Sequence, residues 1–260
     1  MKTKMQIDVI TIFPQMLEGI IKESILKRAQ QKNIVKINIH NLRHFALDKH
    51  SIVDDYSYGG GAGMVLKPEP IFRAVEKIAG SKKGKCKTHT ILLTPQGQTF
   101  NQAKAKELSQ EEHLLFICGH YEGVDERVKE NLITDEISIG DYVLTGGELP
   151  AMVIIDSVVR LLPGVLNKRE SFENDSFYQG LLDYPHYTRP ERFRGKSVPA
   201  LLLSGNHSQI RKWRRQKALK NTLQKRPDLL EKITLSAEDQ KILKELKRKQ
   251  NSSKAITTWE

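Results

Sequence analysis

Residues 136–150, EISIGDYVLTGGELP, decide how the fold of this chain is interpreted. A short apolar segment leads to Gly140, the run Tyr142-Val143-Leu144, a Gly146-Gly147 turn and Pro150, and an almost wholly apolar stretch follows at 151–162. Because the first residue of a helix leaves its N–H unpaired, Pro150 is well placed to begin a helix there. Strand, glycine loop and buried helix would form a rigid cradle of backbone groups for a flat, hydrogen-bonding ligand such as an adenine. A tight turn before a core helix is the alternative interpretation.

Two earlier segments have the same shape. Residues 88–94 form a β-rich run that ends in Pro95-Gln96-Gly97, and residues 113–118 form another that ends in Gly119-His120-Tyr121-Glu122-Gly123. Ligands of α/β proteins lie outside the carboxyl ends of parallel strands. We therefore expect the three glycine-bearing loops to converge on one site.

The alternation of predicted elements indicates an α/β fold, in which a parallel sheet has helices on both faces. The predicted strands are 5–13, 35–39, 88–94 and 113–118, and the predicted helices are one from Pro14 to about Ala29, 69–79 and 101–108. Residues 54–63 and 80–87 are predicted loops, the first glycine-rich and the second basic. After Leu162 the periodicity fades, and helices are predicted at 207–226 and 237–250. The predicted organisation is an α/β domain at 1–166, a linker at 167–176 and a smaller helical domain at 177–260.

The composition favours an anionic partner. The formal net charge is +11 and the pI about 9.5, a balance typical of nucleic-acid-binding proteins, although a basic enzyme is the alternative. Cys86 and Cys118 form no CxxC pair and indicate free thiols in a reducing compartment. No apolar run approaches the roughly 20 residues of a membrane span, so we expect a cytoplasmic protein. None of the eight His residues has metal-ligand spacing, and no structural metal is expected.

Six motifs carry a resemblance to a known family. TPQG, CGHYEGVDERV, SIGDYVLTGGELPAM, DDYSYGGGAGM, DSFYQGLLDYPHYTRP and LLLSGNH resemble those of the bacterial tRNA (guanine-N1)-methyltransferases, from about Ile7 to Lys241. The resemblance implies the deep trefoil knot of the SPOUT superfamily, formed by the segments around Gly119 and 140–150. It also implies methyl transfer from S-adenosylmethionine to N1 of the guanine directly 3′ of the anticodon (position 37) in tRNA. A homodimer with an active site shared between subunits, and a weakly held Mg²⁺, follow from the same resemblance.

Two residues are candidates for the chemistry. Asp175 is either the N-cap of a following helix or, as the resemblance implies, the base that accepts the N1 proton. Arg160 follows Asp156 by four residues, a spacing that favours an ion pair on a helix. The resemblance instead implies that Arg160 stabilises the charge that develops on the guanine O6. Both interpretations of Arg160 hold if Asp156 orients it.

The resemblance also assigns the donor-binding residues. They are Leu93, Thr94, Pro95, Gln96, Gly97, Gly119, Tyr121, Glu122, Ile139, Gly140, Asp141, Tyr142, Val143, Leu144, Gly146, Gly147 and Pro150. Glu122 is either a carboxylate near the sulfonium of the donor or an exposed loop acid. Asp125, Glu126 and Arg127 are expected to cap and pair at the next helix.

The expected RNA contacts lie in three segments: Gly59, Gly60, His186, Arg189, Asn206, His207, Arg211, Arg214 and Arg215. Residues 205–227 hold eight Lys or Arg and no acid, which favours phosphate contact. Gly59 and Gly60 do not belong to a nucleotide-binding fingerprint, because no helix follows them. Arg192-Phe193-Arg194 departs from the apolar-acidic pair common in the family, which leaves local tRNA contacts open. The alternatives are another SPOUT enzyme that methylates ribose 2′-OH or rRNA, and a non-catalytic RNA-binding protein.

Overall fold

The structure is a computed structural model that describes residues 5–80, 88–166, 170–173 and 175–256, without the side chains of 170–171 and 250–256. The predicted basic loop at 80–87 therefore lies outside the described residues from 81 onward, as does Cys86. The chain divides into two compact units, Met1–Arg169 and Glu170–Glu260.

The first unit alternates strands and helices. Its strands are β1 (Met5–Thr11), β2 (Val35–Asn41), β3 (Asp54–Tyr56), β4 (Met64–Leu66), β5 (His89–Thr99), β6 (His113–Cys118) and β7 (Asp135–Ser138). Its helices are α1 (Gln15–Ile21), α2 (Ser24–Gln31), α3 (Pro68–Gly80), α4 (Gln102–Leu108), α5 (Glu126–Leu132) and α6 (Glu148–Val159), with a 3-10 helix at Leu42–Phe45.

The predicted parallel sheet is confirmed. Its strand order is β2-β1-β6-β5-β7, and every neighbouring pair is parallel. Alternate residues of β1 face two apolar clusters: Ile7 and Val9 pack with α1, α2 and α6, whereas Ile10 packs with α3 and α5. The sheet is thus covered on both faces, and the carboxyl ends of all five strands meet at one edge.

The helix predicted to continue from Pro14 to Ala29 is wrong, because the structure has two helices with a break at residues 22–23. Ser24 begins α2 in the left-handed region, at φ 49°. On a continuous helix of 3.6 residues per turn, Leu26 would lie half a turn around from Leu17. The break lets both side chains pack against the sheet, where both are buried.

The start of α6 also differs from the prediction. The helix begins at Glu148, with Gly147 as its N-cap, and Pro150 is its third residue. The first four N–H groups of a helix have no partner within it, so proline is tolerated throughout the first turn. The prediction of a helix from Pro150 is therefore confirmed, but its predicted first residue is wrong by two positions.

Strand β5 is longer than predicted. Its pairing with β7 shifts register between Leu93 and Gln98 and then continues to Thr99. The predicted loop at Pro95-Gln96-Gly97 is therefore a bulge within a strand. In the predicted loop at 54–63, β3 pairs with β4 as an antiparallel hairpin, and the glycines form its tip.

The second unit is mostly helical. It contains α7 (Glu170–Glu173), β8 (Arg192–Phe193), β9 (Lys196–Ser197), α8 (Ala200–Leu203), α9 (His207–Lys225), a 3-10 helix at Pro227–Lys232 and α10 (Ala237–Ile256). Leu181, Ala218, Leu219 and Leu243 form its core. Asn206 is the N-cap of α9, and its side chain accepts from Gln209 N at 3.1 Å.

Candidate active site and RNA surface

Two glycine-bearing loops, at 119–123 and 139–147, converge with the bulge of β5 at the carboxyl edge of the sheet, where the sequence predicts three loops. They enclose a cavity of about 330 Å³, a volume within the range of small-molecule sites, roughly 300–1,000 Å³. The cavity is lined by Leu92, Leu93, Thr94, Pro95, Gln96, Gly119, His120, Tyr121, Glu122, Gly123, Val124, Lys129, Ile137, Ser138, Ile139, Gly140, Tyr142, Val143, Leu144, Thr145, Gly146, Gly147 and Pro150.

Two of the predicted donor-binding residues do not line this cavity. Asp141 is exposed. Gly97 lies in the bulge of β5, where an added Cβ would come within 2.6 Å of the backbone oxygen of Glu136. Gly97 is therefore required for the close approach of β5 to β7. The other fifteen predicted residues are brought together.

Backbone contacts hold two of the loops against each other. Gly147 N donates to Gly119 O at 2.8 Å, and His120 forms an isolated antiparallel bridge with Gly146. A Cβ on Gly147 would lie 2.7 Å from the Cα of Cys118, so this approach requires glycine. The inner wall of the cavity is thus built from closely packed backbone.

The cavity carries opposite charges. Lys129 Nζ contacts Gln96 Oε1 at 3.1 Å and Glu126 Oε2 at 3.1 Å. Glu122 is exposed and lines the cavity, so its role near the donor stays a prediction. Lys129 is one of two cations on α5 and was not singled out from the sequence. His120 and Ser138 also line the cavity and were not among the predicted donor-binding residues.

Asp125 begins α5 as predicted. Its side chain accepts from the backbone N of Arg127 at 3.0 Å, and its carboxylate takes two bonds of 2.8 Å from the guanidinium of the same residue. These bonds from Arg127 lower the pKa of Asp125. This ion pair stabilises the helix start that supports the loop at residues 119–123.

The glycine-rich hairpin adjoins this loop. Glu122 N donates to Met64 O at 3.0 Å and Leu66 N donates to Gly123 O at 2.9 Å, so β4 is bonded to the cavity loop. Gly59 and Gly60 form the tip with φ of 88° and 80°, a conformation that favours glycine. The tip is open, since a Cβ on either glycine would meet nothing within 4 Å.

Helix α6 presents an exposed stripe. Leu149 and Val153 are 45% and 46% exposed on an otherwise buried apolar helix. Asp156 and Arg160 continue the stripe at helical spacing. The alternative of an ion pair between these two is wrong, because Asp156 makes no ion pair with any described residue. Arg160 N donates to Asp156 O at 3.2 Å.

The neighbouring helix α1 extends this apolar surface. It packs beside α6, and Phe13, Met16 and Ile20 are 40%, 44% and 45% exposed. We call Phe13, Met16, Ile20, Leu149 and Val153 the apolar face. Exposed apolar side chains grouped in this way are typical of a protein-protein interface.

The second unit has a cavity of its own, of about 860 Å³. Six predicted residues line it: Asp175, His186, His207, Arg211, Arg214 and Arg215. Arg189 and Asn206 do not line it. Cations and aromatic rings lie together here, because the guanidinium of Arg214 is 5.0 Å from the ring of Tyr184 and the Lys217 ammonium is 5.5 Å from that of Trp213. Such pairs suit contact with phosphates and bases.

Arg215 differs from its neighbours on α9. Its guanidinium donates to both carboxylate oxygens of Asp239 on α10, at 2.9 and 2.8 Å. Asp239 is 4% exposed, and this bond lowers its pKa to about 2 against the opposing effect of burial. Arg215 therefore joins α9 to α10, which limits what its charge can offer to a phosphate.

Asp175 is half-buried in the second unit. Its N donates to Phe172 O at 3.3 Å, and its own carbonyl accepts from Tyr178 N at 3.2 Å. The alternative that Asp175 caps a following helix is wrong. No helix begins within the described residues 175–199, and the next one, α8, begins at Ala200. A capping role therefore does not explain this carboxylate.

Comparisons with known proteins agree with these features. The family model described as tRNA (Guanine-1)-methyltransferase TrmD matches residues 5–232. The chain is similar to the tRNA (guanine-N(1)-)-methyltransferase of Dehalococcoides mccartyi, with 58% identity over 95% of this chain and 99% of that one. It is also similar to those of Bacillus licheniformis, at 57% over 94% and 100%, and of Moorella thermoacetica, at 57% over 95% and 98%. The chain belongs to the tRNA (guanine-1)-methyltransferase family.

Membership of the tRNA (guanine-1)-methyltransferase family leaves the metal open. In the described part of the chain, no group of three or more His, Cys, Asp or Glu side chains could hold a metal ion. Mg²⁺ therefore remains an expectation from the resemblance, and we derive no step through it. Among the helices that the structure describes, none has the length and hydrophobicity needed to cross a membrane.

Proposed function

We propose that this chain transfers a methyl group from S-adenosylmethionine to N1 of the guanine directly 3′ of the anticodon in tRNA. The observation that carries the proposal is the cavity at the carboxyl edge of the sheet, where fifteen predicted donor-binding residues meet in a member of the tRNA (guanine-1)-methyltransferase family.

The cavity fits the proposed donor. Its walls are closely packed backbone at Gly119, Gly146 and Gly147, which suits a flat base, and its charges are opposite in sign at Glu122 and Lys129. S-adenosylmethionine bears a sulfonium, an ammonium and a carboxylate, and supplies a methyl group bound to the sulfonium. We assign Glu122 to the cationic centres and Lys129 to the carboxylate.

Two side chains are assigned to the target base. Guanine N1 carries a proton at neutral pH and is a poor nucleophile until that proton leaves. The carboxylate of Asp175 would accept it. The guanidinium of Arg160 would stabilise the negative charge that develops on O6, as a preorganised cation does.

We also propose a homodimer with a shared active site. The apolar face supports a contact with a second copy, and Arg160 lies on the same stripe of α6 as Leu149 and Val153. A dimer contact on that stripe would place Arg160 at the edge of the interface. The resemblance implies that Asp175 then acts on the donor held by the partner subunit, and that the segments around Gly119 and 140–150 are knotted.

The tRNA is assigned to exposed cations of the second unit and to the glycine hairpin. The net charge of +11 and the grouping of Arg211 and Arg214 with aromatic rings support phosphate and base contact. Gly59 and Gly60 are assigned to the target base. A cytoplasmic location is proposed with this substrate.

The test is to map the methylated nucleoside by mass spectrometry after incubation with unmodified tRNA and S-adenosylmethionine. We expect 1-methylguanosine at the position directly 3′ of the anticodon. Asp175→Asn should lower the rate by roughly 10²–10⁴-fold with donor affinity unchanged. Asp228→Asn, at a half-exposed aspartate of the same unit that pairs with Arg226, should behave as wild type. A 2′-O-methyl product would indicate the alternative SPOUT activity, and near-normal turnover of Asp175→Asn would contradict its role as the base.

A further inference from the structure

Glu148, the first residue of α6, is a charged side chain that is 1% exposed. Acidic residues are almost never fully buried unless they are paired. Glu148 does not line the donor cavity, but it directly follows Gly146 and Gly147, which do. None of the roles proposed above explains why a carboxylate is buried there.

The partner of Glu148 is Thr11, the last residue of β1 and also 1% exposed. The two side-chain oxygens are 2.5 Å apart. Phe13 N donates to the same hydroxyl of Thr11 at 2.8 Å, so the Thr11 proton is available for Glu148. The distance is that of a short hydrogen bond from a hydroxyl to a carboxyl oxygen, and Glu148 lies at the positive end of the α6 dipole.

Two of the groups that face Glu148, Gly146 and His120, line the cavity. A Cβ on Gly146 would contact Glu148 Oε2 and lie 2.8 Å from the ring of His120. Burial, with a smaller contribution from the nearby Glu148, raises the pKa of the Cys118 thiol. The ring of Phe13 contacts that of His120 in a tilted arrangement, with 5.0 Å between centroids. Glu148 therefore fills the space directly behind the Gly146-Gly147 wall.

We propose that Thr11 and Glu148 are positioning residues for the methyl donor. Their hydrogen bond joins segments 137 residues apart in the chain and ties the start of α6 to the end of β1. Gly147 N donates to Gly119 O. The bond between Thr11 and Glu148 therefore helps to fix the positions of Gly119 and Gly147 in the cavity wall. The inference rests on the proposed assignment of the cavity to S-adenosylmethionine.

The experiment compares donor affinity with stability. Thr11→Val removes the donor hydroxyl with little change in shape, Thr11→Ser keeps it, and Glu148→Gln removes the charge. Binding of S-adenosylmethionine is measured by calorimetry at a temperature well below every Tm, and Tm is measured separately. We expect Thr11→Val and Glu148→Gln to raise Kd about tenfold, equivalent to 1.4 kcal/mol, and Thr11→Ser to stay within about twofold.

The matched control is Asp8→Asn. Asp8 is another buried carboxylate of β1, bonded by Gln6, Asn38, His40 and His113, and none of these residues lines the donor cavity. Burial opposes ionisation of Asp8, but these bonds together lower its pKa. Asp8→Asn should therefore lower Tm and leave Kd unchanged.

The outcomes separate the two proposals. If Thr11→Val and Glu148→Gln lower Tm as Asp8→Asn does but leave Kd unchanged, the pair serves folding alone and the inference is wrong. If one of the two does not fold, the other together with Thr11→Ser decides the same question. If the wild-type protein does not bind S-adenosylmethionine, the proposed function is wrong instead.

Discussion

Arg214 and Arg215 are adjacent on α9, yet we expect their replacement by Gln to affect different properties of the protein. Arg215 makes a two-bond ion pair with the buried Asp239, whereas Arg214 is exposed and stacks on Tyr184. Arg215→Gln should lower stability with little effect on phosphate contact. Arg214→Gln should weaken phosphate contact with little effect on stability.

The magnitude for Arg215 follows from its partner. Lowering the pKa of Asp239 from 3.8 to about 2 corresponds to roughly 2 kcal/mol of stabilisation, at about 1.4 kcal/mol per pH unit. Removing the guanidinium leaves a buried carboxylate with its strongest partner gone. For Arg214, the exposed cation–π contact is worth less than about 1 kcal/mol. Its phosphate contact should instead contribute roughly 0.7–0.9 to the slope of log K against log salt.

Two assays test this difference. Urea unfolding gives the free energy of unfolding of each variant, and tRNA binding from about 50 to 200 mM salt gives the slope. The reasoning is refuted if Arg215→Gln flattens the slope as much as Arg214→Gln does and leaves stability unchanged. That result would mean that the ion pair between Arg215 and Asp239 does not form in solution.

Three further predictions concern acid stability, the cavity wall and the subunit contact. Because the folded pKa of Asp239 lies below its unfolded value, its stabilisation is complete above about pH 4 and lost as pH falls towards 2; the difference in unfolding free energy between wild type and Asp239→Asn should shrink over that range. Gly147→Ala should lower both Tm and donor affinity, because its Cβ would lie 2.7 Å from the backbone of Cys118; Gly19→Ala in α1, where a Cβ meets nothing within 4 Å, should be stabilising by up to about 1 kcal/mol. Val153→Asp on the apolar face should halve the mass in sedimentation equilibrium, and an unchanged dimer would place the interface elsewhere.

The sheet and its ligand edge could be predicted because their signals are local. Apolar runs separated by helical periodicity predict parallel strands, and strands that are parallel must end at the same edge. Gly97, Gly119 and Gly140, which follow residues 94, 118 and 138 by one to three positions, then mark that edge. The convergence of the three segments is thus a consequence of topology and needs no knowledge of side-chain packing.

Features that depend on contacts between distant residues could not be predicted in this way. Gly97 and Gly147 carry the same signal in the sequence, a glycine in a loop at a strand end. An added Cβ on Gly97 would meet the backbone of β7, whereas one on Gly147 would meet Cys118 at the end of β6. Likewise, only the partner on α10 distinguishes Arg215 from Arg214.

The start of α6 shows how one wrong boundary conceals a candidate positioning residue. Taking Pro150 as the first helical residue places Glu148 in a loop, where an acid is unremarkable and expected to be solvated. With the helix beginning at Glu148, the same acid lies at the positive end of a buried helix and directly behind two glycines that line the cavity. A buried carboxylate at that position needs a hydrogen-bond partner. The partner is Thr11 at the end of β1, and no pattern near Glu148 in the sequence indicates that contact. The pattern GGELP therefore contains both the glycines that line the cavity and the carboxylate behind them. Only the hydrogen bond from Thr11 shows that Glu148 differs in role from the glycines.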